Sequence, residues 1–236
     1  MARRQVAALV EQDIELRIRQ SARLAPVVGS QLLRVAELPL PRRVVHQRDQ
    51  PDLGPLDQRR YFAARHAASN YRDLVALARA QDLRLASHDD TTLEHVAQSV
   101  ADRVAIAEFP TTLEAALALH AAGIAVLMGA PNLVRGSSHS GNVGTAELAR
   151  AGLLDVMSSD YMPSSLLMAA YHLPKAVPAI DLPAAVRTVT RTPAAAVGLD
   201  DRGEIVRGKR ADLAQVRVTR DIPVVRSVWR TGARIA

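Results

Sequence analysis

Apolar and polar positions follow two different rhythms along this chain, and the change falls near residue 55. Before it the pattern is poor. Gln5–Arg19 suggests a helix, or a helix followed by a strand, while Leu38–Pro41 and Pro51–Pro55 read as loops broken by proline and glycine. Beyond it the signals sharpen. Gln58–Ala80 has a helical period that puts Tyr61, Leu74, Leu77 and Ala78 on one face. A unit then repeats. The apolar run Leu83–Ala86 predicts a strand, Ser87-His88-Asp89-Asp90 follows, and a helix opens at Thr91-Thr92-Leu93-Glu94. Val104–Ala107 predicts the next strand, followed by Glu108-Phe109-Pro110 and a helix opening at Thr111-Thr112-Leu113-Glu114. Thr-x-x-Glu is a capping box, in which both side chains satisfy amides orphaned at a helix start. Two identical boxes, each just after a strand, predict consecutive βα units.

Ile124–Met128 reads as a third strand, followed by a long polar loop over Gly129–Asn142 and a helix to Ala151. Leu154–Met157 reads as a fourth strand, running into Ser158-Ser159-Asp160-Tyr161. Helices follow over Pro163–Tyr171 and Leu182–Val197, with Gly198 as a stop, and then a hairpin of Ala211–Val218 and Ile222–Arg230. Strands and helices alternating at roughly 20–30 residues predict a parallel sheet with right-handed crossovers. A closed eightfold barrel takes about 250 residues and eight such units. The expectation is therefore an α/β fold: a partial TIM-like (β/α) barrel over 56–200, a C-terminal β element over 201–236, and a separate segment over 1–55.

Composition narrows the chemistry. Hydrophobic residues make up 48% of the 236 and charged residues 23%, so a core can form. Only 2 Phe, 1 Trp and 4 Tyr are present, which leaves Ala, Val and Leu to fill it. With no cysteine, disulfides, thiolate metal sites and a cysteine nucleophile are excluded. The formal charge is +6, carried almost wholly by arginines scattered along the chain. Without a dense basic stripe or interleaved aromatic rings, that charge predicts a solvated surface rather than a nucleic-acid groove, and it suits phosphorylated small molecules. The most apolar window, Ala115–Val134, holds His120, two glycines and Pro131, and reads as a buried helix and strand, not a membrane span. No signal peptide is visible, so the expected compartment is the cytoplasm.

In parallel α/β folds, functional groups collect where strands end. His88 follows the first predicted strand, either as a divalent-metal ligand or as a histidine that orients its loop. Asp89 and Asp90 suit the start of the next helix, where carboxylates meet free amides. Glu108 is a ligand, a base or a buried acceptor for a backbone amide. Asp160 could ligate a metal and take a proton from water, or cap the next helix. The segment Gly129–Asn142 brings Asn132, Arg135, Ser138, His139, Ser140 and Asn142 together just before a helix, the groups an anionic phosphate-bearing ligand needs. No Walker loop or dinucleotide fingerprint is present.

These motifs, taken in order, resemble one family. Leu85-Ala86-Ser87-His88-Asp89-Asp90, Ile106-Ala107-Glu108-Phe109-Pro110-Thr111-Thr112, Val126-Leu127-Met128-Gly129-Ala130-Pro131-Asn132, Val134-Arg135-Gly136, Ser138-His139-Ser140-Gly141-Asn142-Val143 and Ser158-Ser159-Asp160-Tyr161 are similar to the diphosphatases of the carbon–phosphorus lyase pathway, within the amidohydrolase superfamily. Asp201-Arg202-Gly203-Glu204-Ile205 and Gly208-Lys209-Arg210-Ala211-Asp212-Leu213 are similar to the segment by which many amidohydrolases return to a small β domain. The resemblance covers about residues 58–236. It implies a hydrolase dependent on a divalent metal, zinc or manganese, that releases pyrophosphate from a ribosyl 5-triphosphate in phosphonate catabolism. Implied roles are His88 as metal ligand, Asp160 as metal ligand and base, and Arg135–Asn142 as a phosphate cradle. The family's upstream metal-binding His motif has no match in residues 1–55, where His46 is the only histidine. That difference predicts an N-terminally truncated relative, a decayed copy, or a chain that works with another subunit, with a homo-oligomer or a partner subunit as the expected partners.

Overall fold

The computed structural model describes residues 55–136 and 141–236, with the backbone alone described over 55–65. The expectations for residues 1–54 and for Ser138, His139 and Ser140 lie outside the described residues. The chain forms two units, one ending at Leu74 and the other running from Val75 to Ala236. The helix α1, Pro55–Ala80, opens on a proline, whose missing N–H costs nothing in a first turn.

The second unit holds a four-stranded parallel sheet in the order β1-β2-β3-β4, formed by Ala86–His88, Ile106–Glu108, Ala125–Gly129 and Val156–Ser158. Between the strands run α2 (Leu93–Ala101), α3 (Leu113–Ala121), α4 (Ala130–Arg135) and α5 (Thr145–Arg150). Three helices follow the sheet: α6 (Ser165–Ala176), α7 (Leu182–Arg187) and α8 (Arg191–Ala196). A three-stranded antiparallel sheet closes the chain, with β5 at Leu213–Thr219, β6 at Ile222–Arg230 and β7 at Ala233–Arg234.

Each crossover is built alike. Thr92 and Thr112 cap α2 and α3, their hydroxyls accepting from the amides of His95 at 3.4 Å and Ala115 at 3.1 Å. At the far ends of α1, α2, α3 and α5 the chain turns through a left-handed residue: Asp82 (φ 52°), Arg103 (58°), Gly123 (75°) and Gly152 (72°). The next amide then bonds back into the helix, as Leu83 to Ala78, Val104 to Ser99, Ile124 to Leu119 and Leu153 to Leu148 at 2.9–3.0 Å. This is the Schellman closure, and it turns the apolar residue after the helix toward the core.

Each strand of the parallel sheet begins one to three residues after its predicted start and ends one or two residues beyond its predicted end. The apolar runs start at the residue that closes the Schellman turn, whereas ladder pairing continues into the polar tips His88, Glu108 and Ser158. Ala107, Val126 and Met128 pack under α2 and α3 with Val96, Ala115, Ala116 and Leu119. Met157 packs against Ala169, Ala170 and Leu173 of α6 and Ala185 of α7. Alanines at these contacts let helices and sheet approach closely. The other face of the sheet carries Ala86, His88, Ile106, Glu108, Ala125 and Leu127, exposed or half-buried, and Val156, which is buried.

Two expectations about helices need correction. The polar loop expected over Gly129–Asn142 begins instead with α4, whose Ala130, Pro131 and Leu133 are buried. Pro131 in its first turn and Gly136 as its left-handed cap are the signals that mark it. The single helix expected over Leu182–Val197 is divided between α7 and α8. The Thr188 and Thr190 hydroxyls donate to the carbonyls of Ala185 and Val186 at 2.8 Å, and these local bonds compete with helix continuation.

Candidate active site at the strand exits

The ladder register fixes which strand-tip side chains are neighbours. His88 pairs with Glu108, Glu108 with Leu127, and Leu127 with Val156, so these four form one row on the face turned away from the helices. The next step up holds Gly129 beside Ser158. His88 Nε2 lies 3.9 Å from Glu108 Oε2, and its Nδ1 lies 3.0 Å from Asp89 Oδ2. The His88 ring meets the Phe109 ring edge-on, with centroids 5.4 Å apart.

Asp89 (φ 59°), Phe109 (56°) and Asp160 (49°) are left-handed residues just past β1, β2 and β4. Such conformations cost an L-residue about 1–2 kcal/mol. They turn the chain sharply off the sheet, and each carries a side chain of the candidate site. Gly129 lies where they meet. A Cβ on it would sit 3.2 Å from Asp160 Oδ2 and 3.5 Å from Phe109 Cε1. The His88 ring thus meets Phe109, and Phe109 and Asp160 both lie against Gly129.

The exit loops are bonded to one another. The amides of Asp89 and Phe109 donate to the carbonyls of Glu108 and Leu127 at 2.9 Å. The Thr111 amide donates to Asp90 O, the Thr112 hydroxyl to Thr91 O, and the Thr111 hydroxyl to that of Thr91 at 2.8 Å. The amide of Val143 donates to Thr111 O at 3.0 Å. Asp90 and Asp89 do not begin α2, as their sequence position suggested. Thr92 takes the cap, and the buried carboxylate of Asp90 accepts instead from the Ser87 and Ser99 hydroxyls. Two local donors offset the cost of burying it better than solvent-exposed amides would.

Asn132 lies in α4, and its Oδ1 accepts the Thr145 amide at 2.9 Å, tying the start of α5 to α4. The Thr145 hydroxyl donates to Gly129 O at 3.2 Å. Arg135, in the last turn of α4, donates from Nη1 to Tyr161 Oη at 2.9 Å. Asn142 is exposed. The structure therefore brings His88, Glu108, Asp160, Asn132 and Arg135 to the carboxyl end of one sheet. Reading the sequence alone missed Phe109, Gly129 and Tyr161 as parts of the site. The positive φ values that single out Phe109 and Asp160 leave no mark in the residue types.

A family model described as an amidohydrolase family matches residues 56–236. The chain belongs to the amidohydrolase family. Over 175 residues it is 51% identical to the alpha-D-ribose 1-methylphosphonate 5-triphosphate diphosphatase of Escherichia coli (strain K12), which takes in 74% of this chain and 46% of that protein. The chain thus spans about half the length of that curated relative. Among solved structures, the crystal structure of an amidohydrolase matches with a TM-score of 0.51 at 16% identity, covering 70% of this chain and 47% of the other. The crystal structure of an uncharacterised protein matches with a TM-score of 0.51 at 20% identity, covering 70% and 48%. These two likenesses bear on the fold, a partial TIM-like barrel followed by an antiparallel β element.

Amidohydrolases generally depend on metal. Among the described residues of this amidohydrolase, no three His, Asp or Glu side chains converge on a point where an ion could sit. His88 and Glu108 offer two donors, and the Asp160 carboxylate lies beside Gly129. Divalent ions are held by three or four ligands, so the described residues do not hold one by themselves. No described helix is long and apolar enough to cross a membrane.

Proposed function

We propose that this chain acts on the phosphoric anhydride chain of a ribosyl 5-triphosphate, α-D-ribose 1-methylphosphonate 5-triphosphate, releasing pyrophosphate in phosphonate catabolism. The observation that carries this reading is the 51% identity to the E. coli diphosphatase, which runs through a region holding all four strand exits. In the proposed reaction the oxygen of a water bonds to the phosphorus nearest the ribose. The anhydride bond to the next phosphorus breaks, its bridging oxygen leaves with pyrophosphate, and one proton of the water passes to a base. Asp160 is the proposed base, because its carboxylate reaches over the open strand-tip position at Gly129. Asn132, Arg135 and Asn142, with Ser138, His139 and Ser140 beyond the described residues, are proposed to hold the phosphoryl oxygens. His88 and Asp160 are proposed to contribute to a zinc or manganese site whose other donors lie outside the described residues. A polyanionic substrate does not cross a bilayer unaided, which favours the cytoplasm as the place of action.

The test is to supply the chain with Zn²⁺ or Mn²⁺ and the ribosyl triphosphate and to measure pyrophosphate. Release is expected, with Asp160→Asn lowering kcat by about 10²-fold or more. No release from the unaltered chain would refute catalysis. The half-exposed sheet face and the incomplete donor set favour a second reading, an amidohydrolase-like half-barrel that acts through a partner subunit. A stable metal-free complex with a second protein, seen by native mass spectrometry, supports it; a metal-loaded monomer that releases pyrophosphate excludes it.

A further inference from the structure

The turn that carries the chain from β1 into α2 is held from the helix side of the sheet. Of residues 89–92 only Asp90 is buried; Asp89, Thr91 and Thr92 are exposed. Strand alternation puts Ser87 on the helix side, in the row of Ala107 and Val126, and His88 on the open side, opposite Glu108. The Asp90 carboxylate serves the helix side. It accepts the Ser87 hydroxyl from β1 and, at 3.3 Å to either oxygen, the Ser99 hydroxyl from α2. Its backbone oxygen accepts the Thr111 amide at 2.9 Å. One residue thus fastens the strand end, the helix that follows and the neighbouring exit.

This turn needs fastening. Asp89 is left-handed (φ 59°), a conformation that an L-residue keeps only where its surroundings enforce it. Were the turn to relax, the residue before it would swing too, and that residue is His88. An apolar side chain at position 90 could fill the space, but it would leave two hydroxyls unpaired and fix no direction. A carboxylate binds both, and ionised acceptors make the stronger bonds.

We propose that Asp90 is a positioning residue, whose buried carboxylate sets the His88 imidazole on the open face, edge-on to Phe109 with ring centroids 5.4 Å apart. What His88 does there rests on the proposed function; the anchor does not. Asp90 acts on the reaction only through that imidazole.

Nuclear Overhauser spectra of the full chain, carbon-13 labelled at histidine and phenylalanine, read the contact between the His88 and Phe109 rings. The chain has 2 phenylalanines, so His88→Gln and Phe109→Leu assign the cross-peak. It is expected in the unaltered chain, lost in Asp90→Ala and kept in Asp90→Asn, whose side-chain oxygen still accepts a hydroxyl. Asp155→Ala, which strands the Val126 amide at the other end of the sheet, should keep it, and this separates orientation from stability. Circular dichroism shows which variants fold. If Asp90→Ala does not, Ser99→Ala decides, since it removes the α2 end of the anchor alone and should weaken the cross-peak. The proposal is overturned if the unaltered chain lacks the cross-peak, or if a folded Asp90→Ala, or in its place Ser99→Ala, leaves it unchanged. It is also overturned if Asp90→Asn or Asp155→Ala loses the cross-peak as fully as Asp90→Ala. The expected pattern in a chain that releases no pyrophosphate would leave the anchor standing and remove the catalytic reading.

Discussion

Replacing Gly203 with alanine separates two costs that usually arrive together. Gly203 (φ 90°) and Gly208 (φ 91°) share a positive φ within one degree. Their surroundings differ. A Cβ at 203 would lie 2.8 Å from Arg191 Cα, 3.0 Å from Thr190 O and 3.1 Å from Ala194 Cβ, whereas at 208 it would meet nothing within 4 Å. Gly208→Ala therefore reports the conformational cost alone. The left-handed penalty of about 1–2 kcal/mol, less about 0.4–1 kcal/mol from a stiffer unfolded chain, leaves a loss of about 0.5–1.5 kcal/mol. Gly203→Ala carries the same cost plus a collision with backbone that cannot rotate away, worth about 1–3 kcal/mol. Its expected loss is about 2–4 kcal/mol. Equilibrium urea denaturation measures both, provided that the two variants share one m-value. If they differ by less than about 0.5 kcal/mol, the close seating of this loop against the start of α8 is not a feature of the folded protein.

At the other end of the sheet, Asp155 accepts the amide of the fully buried Val126 at 2.9 Å and faces His120 Nδ1 at 3.3 Å. Asp155→Ala strands that amide and should cost about 2–3 kcal/mol, while Asp155→Asn keeps an acceptor and should cost under about 1 kcal/mol; thermal melts that do not separate the two would refute the role. Acid should loosen the segment after α8. The Arg202 hydrogen bond holds the Asp201 carboxyl below its ordinary value, and the Lys209 hydrogen bond does the same for Glu204. For Asp212, burial pushes upward but is outweighed by the Thr231 amide and Arg210. Lowered folded values mean that the stability from these groups is complete above roughly pH 5 and drains as pH falls through them. Glu204→Gln should flatten that slope in unfolding free energy measured from about pH 5 to 3, and an unchanged slope would count against its pairing with Lys209.

Local signals in the sequence located most of the parallel sheet. The two Thr-Thr-Leu-Glu runs marked α2 and α3, although the caps fall one residue later than Thr-x-x-Glu predicts: Thr92 and Thr112 accept from His95 and Ala115, three residues on. The hairpin of β5 and β6 was legible in its alternation, and its turn, Arg220 (φ 50°) and Asp221 (φ 67°), has the left-handed pair that such tight connections require. The short β7 was missed, since two residues carry no period. The site was legible as positions rather than as contacts. His88 and Asp160 could be placed at strand ends, but their neighbours Phe109 and Gly129 could not. Asp90 bonds to the nearby Ser87 but also to Ser99, and Asn132 bonds to Thr145; these second partners lie 9 and 13 residues away in the chain, too far for any local pattern.

The threonine bonds between the exits of β1 and β2, carried onward by Val143, run from loop to loop rather than within one. A rim knitted in this way gives or holds as a single fabric. Molecules seated at any one strand tip would slow amide exchange at its neighbours too, and a substitution that unpicks Thr111 would be felt where no ligand touches.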